Sequence, residues 1–424
     1  MPALIQRVLA REVLDSRGNP TVEVEVVTGD GATGRAIVPS GASMGRHEAV
    51  ELRDGDPAHY GGKGVRRAVA NVRDFLGPAI VGIDATQQRR IDETLIALDG
   101  TPNKSRLGAN AILGVSLACA HAAADSLKIP LWRHLDVGGS ARMPMPMVNL
   151  ISGGLHAGRN LAFQDFLLLP IAARSFSEAL EMTVAVYRSL GRVLNRHGHE
   201  SVLVGDEGGF GPKLAGNEQA VEMILEAFAG IGFSPGKDAA IALDVASTHF
   251  HENGLYHLEG RSLDSAAFAD LLVRWVDLYP ILSIEDGMAE DDWAGWKLLT
   301  EKLGGRVQLI GDDLFVTNRD RLARGIAEGA ANCVLVKVNQ IGTLTEALDV
   351  IAQARAAGYR AVVSARSGET EDATIADLVV ASGVGQIKIG SIVRGERLAK
   401  YNQLLRIEES VAGFARFEPP SRLG

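Results

Sequence analysis

Residues 265–285, SAAFADLLVRWVDLYPILSIE, decide the fold. Helical spacing through residue 278 gives way to a short apolar run, 281–284, that ends on the acid Glu285. The same alternation recurs on either side. Strands are expected at 166–170, 241–245, 307–310, 334–338, 361–363 and 386–389, with helices at 217–231 and 344–356 among the segments between them. Continuous apolar runs separated by helices indicate parallel strands buried on both faces. Eight such units would close a barrel, and the length available suits that count. An open doubly wound sheet is the alternative. No glycine-rich dinucleotide or Walker loop follows any strand, which argues against nucleotide binding by those devices.

Charge falls at the ends of these strands. Asp244 follows 241–243, Glu285 follows 281–284, and Asp312 follows the run through Ile310. Lys337 interrupts the run after Val336, Arg366 and Ser367 follow 361–365, and Lys388 lies within 386–389. In a parallel barrel these groups converge on the C-terminal rim, where charge reads as chemistry. Three carboxylates from successive strands suit Mg²⁺, a hard cation that takes oxygen ligands. Singly, each reads equally well as a strand-end acid or helix cap. A metal on a substrate carboxylate acidifies the adjacent carbon, and Lys337 and Lys388 are candidate bases, since burial and nearby cations depress a lysine's pKa. Lys337 could instead be one half of an ion pair with a rim acid. Arg366 with Ser367 offers a phosphate grip. Glu207, in the glycine-flanked run 204–209, and His156, in 153–158, read as ligand-facing groups or as solvated turns.

Upstream the pattern differs. Val22, Val24 and Val26 alternate with Glu23 and Glu25, the period-two signature of a half-buried strand in a β-meander. Helical periodicity follows at 65–75, 87–98 and 110–127, with an N-cap expected in 84–86. The small-residue run 40–45 reads as a loop. A composition shift near residue 138 divides the chain into domains 1–138 and 139–424.

The 424 residues are 46% hydrophobic and 22% charged, an ordinary globular balance. A formal charge of −9 argues against a nucleic-acid partner, which would need a positive surface. It is compatible with a small anionic substrate in a locally positive pocket. Two cysteines, Cys119 and Cys333, in apolar contexts make no disulfide framework and point to a reducing, cytoplasmic compartment. No apolar run reaches the roughly 20 residues a bilayer requires, so no membrane association is expected.

From 15–20, DSRGNP, to 402–409, NQLLRIEE, the chain resembles the enolase family. The motifs that carry the resemblance are SGAS (40–43), ELRDGD (51–56), GDEGG (205–209), SIEDG (283–287), GDDLFVTN (311–318) and SGETEDATIADL (367–378). It implies an α/β fold, a modified eight-stranded TIM-like barrel of the (β/α)8 type capped by an N-terminal α+β domain, in a homodimer or larger homo-oligomer. It makes Asp244, Glu285 and Asp312 the ligands of one tight Mg²⁺, with Ser43 helping to hold a second that arrives with substrate. Lys337 becomes the base that removes the α-proton of 2-phosphoglycerate, and Lys388 binds near the substrate carboxylate. Arg366 and Ser367 grip the phosphate, Gln164 and His156 line the pocket, and Glu207 is the acid that helps the 3-hydroxyl leave. The pairing of a lysine or histidine base with Mg²⁺ is a general property of this superfamily.

The departures cluster. Enolases carry Ser-His-Arg-Ser, but residues 364–367 read Ser-Ala-Arg-Ser, so Ala365 replaces a histidine. Asp165 shortens a second acid, usually glutamate, by one methylene. Met44 and Ile389 stand for threonines, Gly395 for serine and His249 for glutamate. The metal acids and the base are kept while groups around the leaving hydroxyl are altered. The expectation is therefore a specialised relative whose first half-reaction is intact and whose second step has changed. The nearest candidates form carboxyphosphonoenolpyruvate in phosphonate biosynthesis, with room near Ala365 and Met44 for a phosphono-substrate. An ordinary glycolytic 2-phosphoglycerate hydro-lyase is the alternative, and a non-catalytic binding protein on the same scaffold is the third reading.

Overall fold

The computed structural model describes residues 2–42, 45–136, 138, 141–411 and 417. Three antiparallel strands, β1 (Ile5–Leu14), β2 (Pro20–Thr28) and β3 (Thr33–Ile37), form the N-terminal sheet in the order β1-β2-β3. Val22, Val24 and Val26 are buried as their period requires, but Glu23 is buried too, ion-paired to Arg11. The sheet packs on the 19-residue helix Ala109–Leu127, whose alanines let strand and helix approach closely. The approach is tightest at Gly34, where an added Cβ would lie 2.1 Å from both Ala118 O and Ala122 N. Because backbone cannot move aside as a side chain can, Gly34→Ala should destabilise the protein by about 3 kcal/mol. A lowered urea midpoint with unchanged slope is the expected result; an unchanged midpoint would show that the sheet and helix are not held at this distance.

The helix at 88–99 does not use the cap expected in 84–86. It begins at Gln88 after Gln87, and Asp84 Oδ1 instead accepts the N–H of Thr86 at 3.0 Å, bracing the turn before it.

The rest of the chain builds a closed barrel from β4 (Met145–Ser152), β5 (Asp165–Leu169), β6 (Ala240–Asp244), β10 (Ile281–Glu285), β11 (Gln308–Gly311), β12 (Cys333–Val336), β13 (Arg360–Ser364) and β14 (Gln386–Gly390). A small sheet of β7 (His251–Glu252), β8 (Leu255–Leu258) and β9 (Arg261–Leu263) is inserted after β6. Met145, Met147, Leu167, Leu169, Ala242 and Leu335 belong to the apolar fill of the barrel interior. Eight strands hold, but not all of them are parallel. β5 runs antiparallel to both β4 and β6. The connection from β4 to β5 contains only the short turn Gly154–Ala157, too little for a parallel crossover, so the chain must double back. No strand is expected from sequence at β4, where Pro144 and Pro146 break the apolar pattern; the strand starts between them and is buried along its whole length. The expected boundary at 138/139 falls where Val137, Gly139 and Ser140 lie outside the described residues.

The N-terminal domain sits on the barrel through paired backbone hydrogen bonds between Ser40 and Gly368, at 2.8 and 2.9 Å, and one from Ser16 N–H to Glu369 O at 2.7 Å. Ala49 N–H also donates to Gln340 O at 2.8 Å. All these barrel residues follow the C-terminal ends of β12 and β13, so the cap covers that rim. Among the described residues no helix is long and apolar enough to cross a membrane.

Candidate active site

Parallel strands bring their last residues to one rim. Asp244 and Glu285 end β6 and β10 and are direct partners in the sheet register. Asp312 follows β11, Lys337 follows β12, and Lys388 is the third residue of β14. The reversal of β5 has a consequence here: it delivers its first residue, Asp165, to the same rim, in register with Asp244. All six are buried or nearly so.

The charges are tightly paired. Lys388 Nζ lies 2.7 Å from Asp244 Oδ2 and 2.7 Å from both oxygens of Glu285. Lys337 Nζ is ion-paired to Asp312 Oδ2, whose other oxygen accepts from Gln340 Nε2 at 2.8 Å. Burial opposes charge on both lysines, but the acids outweigh it and hold their pKa values above the ordinary range, Lys388 far above. Lys337 is therefore an ammonium here, the opposite of the lowered pKa that burial and nearby cations alone would give. Burial, with Asp244 next to it, pushes Glu285 well above the usual carboxylate range.

These residues fit a divalent cation. The donors are all oxygens, and Asp244 and Glu285 already share one cationic centre. Asp244, Glu285 and Asp312 would hold the ion. Asp312 also stands close to Asp286 and Asp313. Asp286 accepts the N–H groups of Asp312 and Asp313, both at 2.9 Å, and so fixes the loop after β11. Ser43 and Met44 lie outside the described residues. Mg²⁺ should raise thermal stability, by about 2.7 kcal/mol at a hundredfold excess over Kd. Asp244→Asn should abolish that increment in differential scanning fluorimetry; retention of the full increment would place the ion elsewhere.

A second buried cluster joins this one. His156 Nδ1 lies 2.8 Å from Asp165 Oδ2, and its Nε2 is 3.9 Å from Glu207 Oε1. Asn149 Nδ2 donates to the other oxygen of Asp165. Gln164 Nε2 donates to Asp244 Oδ2 at 3.1 Å, linking the clusters. Burial by itself would lower the pKa of His156, but Asp165 and Glu207 outweigh it and raise it to about 9. A histidine whose folded-state pKa is raised contributes stability that is complete below about 6.5 and is lost as pH rises through about 9. His156→Gln should therefore flatten the fall in stability across that window; a variant with the same slope as the parent would assign the loss to other groups. Burial tends to raise Glu207, yet His156, Arg397 and the two lysines leave its pKa below the ordinary value.

Arg366 is clamped by Glu48, with Nη1–Oε2 at 3.0 Å and Nη2–Oε1 at 3.2 Å, and by Asn339 Oδ1 at 3.0 Å. Ser367 Oγ is buried and has no hydrogen-bond partner among the described residues, as suits a hydroxyl kept for a ligand. Buried Arg397 donates to the carbonyls of Arg366, Ser367 and Ile389, at 2.5, 2.6 and 3.0 Å, and shapes the backbone that presents both. Glu48, Gln340, Asn149, Asp286 and Arg397 were not read from sequence. Asp286 had a signal, standing beside Glu285 in the SIEDG motif; the others act across large sequence separations and had none.

A buried ring of acids and amines at the C-terminal rim of a capped barrel defines an enzyme of the TIM-barrel class. Residues 5–135 match the enolase N-terminal domain and residues 140–422 the enolase C-terminal TIM barrel domain. The chain belongs to the enolase family. Membership makes it an enolase-superfamily enzyme; Mg²⁺ dependence is general in that family, and the family suggests a small phospho-substrate.

Proposed function

We propose that this enzyme uses Lys337 as the base that removes the α-proton of a 2-phosphoglycerate-type substrate and follows a changed second step, as a specialised relative that forms carboxyphosphonoenolpyruvate: a carboxylate oxygen of phosphonoformate bonds to C2 of phosphoenolpyruvate and inorganic phosphate leaves. The bound ion would supply positive charge that makes the α-carbon acidic. Asp244, Glu285 and Asp312 would hold it, with Ser43 contributing to a second site once substrate is present. Displacing the lysines from these acids would return Lys337 toward a free amine. Lys388 would then neutralise the substrate carboxylate, and Arg366 with Ser367 the phosphate. Gln164 and His156 would line the pocket beside them.

The observation that carries the altered second step is the state of the acid side. A departing 3-hydroxyl needs a proton near neutral pH. Ala365 has no proton to give, Asp165 is tied between His156 and Asn149, and the pKa of Glu207 is lowered. The first half-reaction keeps its parts, while for the second the proton source that remains is the imidazolium of His156, engaged with Asp165 and 3.9 Å from Glu207. Retention of Glu207, both lysines and all three acids supports the ordinary glycolytic hydro-lyase as a second reading. In D₂O with Mg²⁺, 2-phosphoglycerate should exchange its α-proton without accumulating phosphoenolpyruvate, and phosphoenolpyruvate with phosphonoformate should give inorganic phosphate and a new phosphonate signal, that of the enolpyruvyl carboxylic ester, seen by ³¹P NMR. Turnover of 2-phosphoglycerate at about 1–10³ s⁻¹ would instead establish the hydro-lyase. Family members typically form oligomers, and a homodimer or larger assembly is proposed for this chain.

A further inference from the structure

Beside the rim lies a cavity of about 350 Å³ lined by none of the residues given a role above, with Gly154, Leu155, Arg159, Leu214, His249 and Phe250 in its lining. That is the low end of ligand-cavity volumes, about 300–1,000 Å³, and suits a small ion rather than a nucleotide. Its wall is the turn Gly154–Ala157, which also carries His156. Gly154 packs against Gln164 so closely that a Cβ there would lie 3.1 Å from Gln164 Cα. Gln164 in turn holds Asp244. One thin loop thus has the proposed ion site on one side and the cavity on the other.

The charged groups of the lining are Arg159 and Glu259, with the imidazole of His249 beside them. Arg159 is exposed, and among the described residues its guanidinium has neither an acidic partner nor a hydrogen bond. Its backbone is left-handed, at φ 61°, directly after Gly158 at φ 66°. That conformation is uncommon for a residue with a Cβ, and the Arg159 N–H to Gly154 O hydrogen bond of 2.6 Å holds it. His249 stands close enough to feel both Arg159 and Asp244. Glu259, the acid in the lining, is held by Asn217, whose N–H and Nδ2 donate to its Oε1 at 2.8 and 2.9 Å, and it forms no ion pair with Arg159. An unpartnered guanidinium with a neighbouring imidazole supplies the donors an oxyanion seat needs.

We propose that this cavity seats the oxyanion end of a second, acidic reactant, with Arg159 as the forked donor and His249 as a hydrogen-bonding partner. The proposal rests on the reading that the enzyme uses a second anionic substrate, and it names where that substrate sits.

The test uses the full chain with Mg²⁺ and two probes, phosphonoformate and inorganic phosphate, in calorimetric titrations. Phosphonoformate should bind with 2-phosphoglycerate already saturating, and Arg159→Gln should weaken it about 10- to 100-fold. His249→Gln should weaken it less. Arg159 is at the surface and its loss leaves no buried partner, so the thermal midpoint should hold and verify folding. Full displacement of phosphonoformate by 2-phosphoglycerate, or a Kd within twofold in Arg159→Gln, would overturn the seat. Inorganic phosphate binding more tightly than phosphonoformate would overturn its assignment to the second reactant. If binding behaves as expected but no enolpyruvyl ester forms, the seat stands and the proposed reaction falls.

Discussion

Lys337→Ala should reduce α-proton exchange of 2-phosphoglycerate by about 10⁴-fold, the upper end of what a positioned general base contributes. Loss of the proton signal in D₂O measures this directly, without depending on the second step. The companion variant is Lys388→Ala. Lys388 touches Asp244 and Glu285, whereas Lys337 touches Asp312, so the two lysines occupy different parts of the rim. Lys388→Ala should raise KM and slow exchange, while addition of a small primary amine should restore exchange in Lys337→Ala only. Near-parental exchange in Lys337→Ala, with exchange abolished in Lys388→Ala, would transfer the base role to Lys388. Removing Lys337 leaves buried Asp312 short of a cation, and such losses cost about 3–5 kcal/mol when nothing replaces the partner. Gln340 still donates to Asp312, and Mg²⁺ would restore positive charge. Stability should therefore be compared with the metal present.

The rim was legible because several strands are short apolar runs that carry a charge at or just past their ends. That pattern placed Asp244, Glu285, Asp312, Lys337 and Lys388 on one surface before any coordinates. Strand direction was not legible in the same way. β5 is as apolar as its neighbours, and only the lack of a helix between residues 152 and 165 marks its reversal. The contribution of the cap was hidden for another reason. Glu48 grips Arg366 across 318 positions, and nothing local to either residue signals the pair. Lysine protonation was also beyond the sequence, because its sign depends on which acids lie within ion-pair distance. Burial and the neighbouring cations lower the pKa of Lys337, and the acids beside it, Asp312 first, raise it by more.

Ala365→His combined with Asp165→Glu should raise conversion of 2-phosphoglycerate to phosphoenolpyruvate by about 10²-fold, followed by the absorbance of the enol product. That is the factor associated with misplacing a catalytic group by about 1 Å, roughly the reach that one methylene alters. The backbone at 365 is fixed, since its N–H donates to Lys388 O at 2.8 Å, so a histidine there would project from a defined point beside the second lysine. Asp165→Glu acts differently. Asp165 is fully buried and spans His156 and Asn149, so an added methylene must push its carboxyl toward the rim or strain both contacts, at about 1–3 kcal/mol. Each single change should accomplish less than the pair, since the longer acid without the histidine still leaves no donor at 365. Asp165 opens β5 and Ala365 follows β13, with β14 and β4 between them, so the two effects should combine close to multiplicatively. α-Proton exchange should stay near the parental rate in all three variants, because Lys337 and Asp312 are untouched. If the double variant forms no more enol product while exchange persists, the missing donor is not what separates this enzyme from a dehydratase. The difference would then lie in how substrate is held after its proton has gone.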